Sequence, residues 1–217
     1  MKGGHKGKHD GHGCGGKGHG WGKGKPHAPA ELAEFAPKSV DYYETRADGG
    51  FSWDVKYSLG FDDGAFTVVT RVQLTGDAAG DTVRVWEEGI ERLWNDRFAL
   101  VEGSKSYPVR FDVQFVETGG DHQVAVHDGH GLHDVLNWYL DSPWGPDYQD
   151  ELAAHEFGHM IGAFDEFAGG ATQGGYTTSG TLMADLGAGM ATAYLHSIDT
   201  AAEQFSGHQF DVALLVA

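Results

Sequence analysis

Residues 150–165 read DELAAHEFGHMIGAFD, and this stretch decides most of what the chain can fold into. Leu152, Phe157 and Ile161 recur at helical spacing, so we predict a helix across this stretch with one face toward the core. Gly162 is expected to end the helix, because glycine readily adopts the left-handed conformation common at helix C-termini.

Two histidines in the predicted helix have the spacing of metal ligands. His155 and His159 are four residues apart, so both imidazoles project from one face and can bind one tetrahedral zinc ion. Glu156 lies on an adjacent flank, from which its carboxylate can act as general base on a metal-activated water. A solvated polar helix face is the alternative, but Phe157 and Ile161 make a core-facing site more coherent.

A catalytic zinc site needs a third protein ligand and keeps one position open. If Gly162 turns the chain back, Asp165 can reach the same metal three residues later. The adjacent Glu166 is the alternative third ligand, since carboxylate oxygens bind zinc well. We therefore predict a zinc site made by the two histidines and Asp165.

The stretch HEFGHMIGAFD, together with Met183 in SGTLMAD, resembles the metzincin clan of zinc metallopeptidases. The resemblance implies that Gly162 turns the chain and that Met183 forms a turn beneath the metal, although core filler is an alternative role for this methionine. It covers roughly residues 81–205. The order of helix, strand, short edge strand and loop before the motif is also similar to the clan.

This sequence departs from the usual pattern of the clan in two ways. Most members have a histidine as third ligand, whereas Asp165 resembles the small snapalysin-type peptidases. Asp185 stands where the astacin and serralysin branches have a tyrosine, two residues after the methionine, and roles for Tyr176 or Tyr194 in the transition state stay open. The implied function is a zinc-dependent endopeptidase with Glu156 as general base.

The first 30 residues form a low-complexity tract rich in glycine, histidine and lysine, with little besides Trp21 to bury. We predict a disordered tail. Metal collection by its histidines, or ligation of the catalytic zinc by Cys14 in a latent enzyme, are alternatives. A metal-binding or sequestering protein without catalysis is the corresponding alternative function. The tail histidines are His5, His9, His12, His19 and His27.

Residues 31–209 are predicted to form an α+β metallopeptidase domain. The runs FSWDVKYSL and AFTVVTRVQL have the composition of strands and are separated by the turn FDDG, so we expect a hairpin. A backing helix is expected from Asp81 through Phe98, followed by strands VRFDVQFV and HQVAVH. The expected fold is a metzincin-like twisted sheet with an active-site helix, a backing helix and a C-terminal helix.

A polar and aromatic loop is expected over residues 128–148. We interpret its histidines and acids as a polar lining of the cleft, with a second metal site as the alternative. Its aromatic residues form either a substrate-facing wall or buried supports for the loop. The histidines and acids are His127, Asp128, His130, His133 and Asp134. The aromatic residues are Trp138, Tyr139, Trp144 and Tyr148.

Charge is distributed unevenly along the chain. Residues 1–25 carry six lysines against Asp10, so the remainder carries a net charge of −22 when the whole chain carries −17. A surface this acidic excludes nucleic acid as a partner, because phosphate binding needs a basic footprint. It suits an extracellular or salt-exposed protein, or one that binds calcium, so calcium is a second candidate cation beside zinc. The expected partner is the protein or peptide substrate that the endopeptidase function implies. No apolar stretch is long enough to span a membrane.

The C-terminal residues 210–217, FDVALLVA, allow two interpretations. They resemble the uncleaved C-terminal signals of serralysin-type proteases, which one-step bacterial transporters export, although the Gly/Asp nonapeptide repeats of those proteases are missing. A last β-strand is the alternative. No N-terminal export signal is visible, so we expect a secreted protein if the first interpretation holds and a cytoplasmic one otherwise.

Overall fold

The structure is a computed structural model that describes residues 31–46, 48–76, 80–141, 143, 145, 148–174, 177–187 and 189–215. The tail predicted over residues 1–30 therefore lies outside the described residues, as do Cys14, Trp144 and Tyr176. A boundary between compact units falls after Glu31, and the elements given below all belong to the second unit.

Eight β-strands among the described residues form one sheet. Their order is β1-β2-β3-β5-β4-β8, while β6 pairs with β3 and with β7. The strands are Phe35–Thr45 (β1), Ser52–Asp62 (β2), Ala65–Gly76 (β3), Phe98–Glu102 (β4), Lys105–Val116 (β5), His122–His130 (β6), Asn137–Asp141 (β7) and Asp211–Leu214 (β8).

The hairpin predicted around FDDG is confirmed. β2 and β3 pair in antiparallel orientation up to Asp62 and Ala65. The two residues between them, Asp63 and Gly64, have φ angles of 47° and 71°. A two-residue type I′ turn requires both residues in this left-handed region, and the pair Asp-Gly favours it.

Strand β3 joins the two halves of the sheet. It pairs in parallel with β5 over Phe66–Gln73 and with β6 over Val72–Gly76. Because Val72 and Gln73 pair with both strands, β5 and β6 lie on opposite edges of β3. The resemblance implies a short edge strand before the loop. That expectation is wrong, because HQVAVH lies in β6, which pairs with β7 as well as with β3.

Helix α1 (Gly80–Trp94) packs its apolar face against β5 and against the helix that contains His155 and His159. Trp86 and Trp94 on that face are fully buried. The prediction that this helix continues through Phe98 is wrong. Asp96 has a φ of 59°, which ends helical geometry, and Phe98 begins β4.

The sequence pattern does not predict β1, β4 or β7. β1 contains Pro37 and is largely exposed, which an edge strand tolerates because one side of it donates no ladder hydrogen bonds. β7 lies within the loop expected over residues 128–148, so that loop is shorter than expected. Trp138 of β7 is fully buried and meets Trp86 edge to face, with 5.0 Å between ring centroids.

Helix α2 (Gln149–Met160) is the helix predicted from the opening stretch, and Leu152, Phe157 and Ile161 are buried as expected. A short helix α3 (Leu182–Asp185) follows, then a 3₁₀ helix (Thr192–Leu195) and the C-terminal helix α4 (His196–Ser206). The α+β class and its three principal helices are thus confirmed. Among the described residues, no helix is both long and apolar enough to cross a membrane.

The C-terminal segment forms a strand. β8 pairs with β4 in antiparallel orientation, from Phe98 opposite Leu214 to Val101 opposite Asp211. Phe210, just before the strand, is buried. The β-strand interpretation of this segment is therefore confirmed through Leu214.

Candidate metal centre

Helix α2 brings two imidazoles together. His155 and His159 are each 7% exposed, and their ring centroids lie 5.1 Å apart. A spacing of four residues puts both side chains on the same helix face, one turn apart. The local sequence alone therefore brings together two of the candidate metal ligands.

Asp165 completes a group of three. One ligand atom from each of His155, His159 and Asp165 can be chosen so that all lie within 4.8 Å of one another. Asp165 Oδ1 lies 3.1 Å from Nε2 of His155 and 3.3 Å from Nε2 of His159. Donor atoms about 2.0–2.1 Å from a tetrahedral zinc ion lie about 3.3 Å from one another. Both separations therefore fit donors that share one ion.

The other nitrogen of each ring determines the tautomer. Nδ1 of His155 lies 3.0 Å from the carbonyl oxygen of Leu182, and Nδ1 of His159 lies 2.9 Å from that of Ala163. A carbonyl oxygen can only accept, so each Nδ1 carries a hydrogen, and Nε2 is the nitrogen left to bind a metal. Histidines that bind metals in proteins are commonly held in this way.

Asp165 Oδ1 is buried and has no hydrogen-bond partner among the described residues. In the tautomer just described, the two imidazoles cannot donate to it. Burial acts to raise the pKa of Asp165, and only imidazoles that donate from Nε2 or carry charge would hold this pKa below its usual range. With the hydrogen on Nδ1, a cation has to take over that role. An ionised oxygen facing two nitrogen lone pairs is costly unless a cation lies between them.

A loop fixes the other oxygen of Asp165. The backbone N–H of Ala171 donates to Asp165 Oδ2 at 2.6 Å, and the Asp165 N–H donates to the carbonyl of Ala171 at 3.0 Å. A Cβ at Gly170 would lie 2.6 Å from Asp165 Oδ2, so the close approach requires glycine. Sequence reasoning missed Gly170 and Ala171, because their contacts with Asp165 depend on how the loop closes.

Gly162 reverses the chain between the helix and Asp165. Its φ is 102°, a conformation that residues with a Cβ rarely adopt. A Cβ there would also lie 2.8 Å from the Tyr42 hydroxyl and 2.9 Å from Cβ of Ser197. Both the backbone conformation and the crowded surroundings therefore require glycine.

Glu166, the alternative third ligand, has other partners. Its Oε2 accepts hydrogen bonds from Thr181 Oγ1 at 2.5 Å and from the Tyr194 hydroxyl at 2.7 Å. It does not belong to the group formed by His155, His159 and Asp165. Tyr194 is 1% exposed and donates to Glu166, so its hydroxyl does not reach the cavity.

Glu156 lies next to the group of three on α2. It is 5% exposed and lines the same cavity as His155, His159 and Asp165. Burial raises the pKa of Glu156 to about 7, with His155 acting to lower it and Asp165 to raise it further. A carboxyl group with a pKa near 7 can both accept and release a proton at neutral pH.

Met183 packs beneath α2. It is fully buried, and a Cβ at Gly158 would lie 2.6 Å from its sulfur atom. The preceding residue, Leu182, supplies the carbonyl that holds His155. The turn that contains Met183 therefore supports the helix and one of the two imidazoles.

The group opens onto a cavity of about 770 Å³. Trp53, on β2, lines this cavity, and its indole N–H donates to the carbonyl oxygen of His159 at 2.9 Å. Its ring also meets the His159 imidazole edge to face, at 5.4 Å between centroids. Sequence reasoning missed Trp53, because nothing in its strand pattern distinguishes it from a core aromatic residue.

The second histidine cluster does not form a metal site among the described residues. Nε2 of His127 lies 2.9 Å from Asn137 Oδ1, and Nε2 of His133 lies 3.0 Å from the carbonyl of Tyr139. His133 and Asp134 line the cavity, as the interpretation of a polar lining expects. His127, Asp128 and His130 are absent from that lining.

The aromatic residues of this region divide between the two expected roles. Trp138 is part of the core, whereas Tyr148 is 44% exposed and lines the cavity. The Tyr139 ring stacks on the His127 imidazole, with 4.9 Å between centroids. Only Tyr148 of these three is thus in a position to face a substrate.

Comparisons with known proteins add little to this geometry. No family model and no curated protein matches the chain. Among solved structures, that of myroilysin aligns with 49% of this chain and 52% of its own chain, at 19% identity and a TM-score of 0.33. The chain thus spans about half the length of that structure, and any function must be inferred from the site itself.

Proposed function

We propose that this protein is a zinc-dependent endopeptidase. The observation that carries the proposal is the convergence of His155 Nε2, His159 Nε2 and Asp165 Oδ1 beside the buried Glu156 in an open cavity. Two imidazoles and one carboxylate are a common ligand set of catalytic zinc, which leaves one coordination position for water or substrate.

Zinc bound here would supply Lewis acidity, which polarises a peptide carbonyl and makes a water molecule more acidic. Glu156 would take a proton from a water molecule as the water oxygen bonds to the carbonyl carbon of the peptide. Glu156 would then give that proton to the amine nitrogen as the C–N bond breaks. The carbonyls of Leu182 and Ala163 hold the two α2 imidazoles, and the Trp53 ring packs against that of His159.

The resemblance to the metzincin clan supports the proposal. Gly162 has the conformation that reverses the chain toward Asp165, and Met183 lies under α2, as the methionine of that clan lies beneath its metal. The aspartate as third ligand is again similar to the snapalysin type. Proteins or peptides are the proposed substrates, because the cavity is open and about 770 Å³ in volume.

We also propose that the protein acts outside the cell, exported by one-step bacterial machinery that reads the C-terminal segment. The support for this is the resemblance of residues 211–217 to serralysin-type signals. The same residues contribute β8, so recognition by a transporter would have to precede folding of this strand.

Removal of the metal tests the proposed function. Purified protein should contain about one zinc ion per chain and hydrolyse casein. Dialysis against a strong chelator should abolish hydrolysis, and one equivalent of zinc should restore it. Zinc binding without hydrolysis of casein or of a panel of peptides would favour the alternative of a metal-sequestering protein.

A further inference from the structure

The cavity beside the candidate metal centre is mainly apolar at its mouth. Phe51, Leu132, Tyr148 and Phe167 line it and are between 40% and 66% exposed. Exposed apolar groups gathered around a cavity commonly mark a binding surface. Bulky apolar side chains of a ligand would therefore be well accommodated here.

Two carboxylates interrupt this apolar lining. Asp134 and Asp185 line the cavity, and none of its described lining residues is lysine or arginine. Asp134 and Asp185 are acidic residues in addition to Glu156 and Asp165 beside the candidate metal. A cationic group on a ligand would therefore be attracted to this cavity.

The two aspartates differ in how far their oxygens are engaged. Asp134 accepts from the backbone N–H groups of Leu136 at 2.7 Å and Asn137 at 2.8 Å, and from the Asn137 amide as well. Asp185 accepts one hydrogen bond, from the Gly180 N–H to Oδ1 at 2.8 Å, and no other described residue engages its carboxylate. Asp134 therefore shapes its loop, whereas Asp185 has acceptor capacity left for a ligand.

Asp185 is also close in sequence to residues that support the candidate metal centre. It lies at the end of α3, three residues after Leu182, whose carbonyl holds His155, and two residues after the buried Met183. This segment fixes the aspartate relative to the site. A charge held in this way can distinguish ligands by the position of their own charge.

We propose that Asp185 makes this enzyme selective for peptides with a lysine or arginine near the scissile bond, flanked by bulky apolar residues. The proposal rests on the proposed endopeptidase function. The ammonium or guanidinium group pairs with the open oxygen of Asp185, while the apolar rim, including Phe51 and Phe167, receives the neighbouring side chains. The same carboxylate repels a glutamate placed in that position.

The size of the preference follows from the exposure of Asp185. An exposed ion pair contributes at most about 1 kcal/mol, which corresponds to about a fivefold difference in affinity. The contribution should decline with salt, since the screening length falls from about 10 Å at 0.1 M to about 3 Å at 1 M. A preference that arises from shape alone would not depend on salt in this way.

The test uses two otherwise identical sets of apolar decapeptides, in which one lysine or one glutamate is moved through three positions on either side of the central bond. Cleavage is measured with the zinc-loaded protein, and binding with its Glu156→Gln variant by fluorescence polarisation. Asp185→Asn removes the charge and keeps the acceptor for Gly180. Asp128→Asn is the matched control, because Asp128 is exposed, also accepts one backbone N–H, and lies outside the cavity lining.

We expect the lysine peptide to be preferred over the glutamate peptide by about three- to fivefold at one or two positions. Asp185→Asn should abolish that preference, 1 M salt should reduce it, and Asp128→Asn should leave it unchanged. Equal binding of both peptide sets, or a preference that survives Asp185→Asn, would overturn the proposal. Selective binding of lysine peptides without any cleavage would support the role of Asp185 while overturning the proposed peptidase function.

Discussion

Asp165 and Glu166 are neighbouring carboxylates to which the fold gives different partners. Asp165 Oδ1 faces the two imidazoles, whereas Glu166 Oε2 accepts from Thr181 and Tyr194. The sequence allows either residue as third ligand, because both could reach a metal after the turn. The difference arises only when the loop closes on the oxygen of Asp165 through Ala171.

Conservative amide substitutions separate the two roles. Loss of a residue that only hydrogen-bonds to a metal ligand weakens metal binding roughly 10–100-fold. We expect Asp165→Asn to weaken zinc binding by more than this, because it alters a ligand itself. Glu166→Gln should retain one zinc per chain and lower the free energy of unfolding by about 1 kcal/mol, since one buried hydrogen bond is impaired. Competition with a chromophoric chelator and urea denaturation measure the two quantities. If Glu166→Gln loses zinc and Asp165→Asn keeps it, Glu166 is the third ligand and Asp165 is not.

At the scale of elements, what the sequence predicts well is local. The hairpin of β2 and β3 follows from Asp63 and Gly64, and α2 follows from its apolar spacing and from Gly162. Strands β1 and β7 could not be predicted, because β1 has few buried positions and β7 is short and pairs in parallel with a strand before it. The contact of Trp53 with His159 could not be predicted either, because the two residues are 106 positions apart in the chain.

The end of α2 offers a test of this element. Gly162 and Gly207 both have positive φ, 102° and 76°, but only at Gly162 would a Cβ meet neighbouring atoms closer than 3 Å. We expect Gly207→Ala to lower the free energy of unfolding by about 1 kcal/mol, through backbone strain alone. Gly162→Ala should cost clearly more and also weaken zinc binding, because Asp165 is displaced. The role given to Gly162 would be contradicted if both substitutions lowered the free energy of unfolding equally in urea denaturation and Gly162→Ala left zinc affinity unchanged.

At the scale of the whole molecule, the C-terminal segment is both a strand and a proposed export signal. Val212 is partly buried against the core, whereas Leu214 of the same strand is 43% exposed. We expect Val212→Asp to lower the free energy of unfolding by about 2 kcal/mol, since it puts a charge beside buried apolar groups. Leu214→Asp should change it by less than about 0.5 kcal/mol.

Val212→Asp and Leu214→Asp also distinguish an effect on export from an effect on stability. If residues 211–217 are read by a transporter, Leu214→Asp should leave folded, active protein inside the native host and reduce the amount in the culture supernatant. Undiminished export of Leu214→Asp, together with undiminished export after deletion of residues 211–217, would rule out the signal. Urea denaturation of the purified variants provides the stability control.

The central claim is that the three converging ligands hold zinc for hydrolysis and that Glu156 moves the proton. The most direct measurement compares zinc content and casein hydrolysis of wild-type protein and the Glu156→Gln variant, which keeps the size and shape of the side chain but cannot accept the proton. We expect one zinc per chain in both proteins and a loss of about 10²- to 10⁴-fold in kcat for the variant. Hydrolysis that persists at the wild-type rate in a zinc-loaded Glu156→Gln protein would contradict the claim.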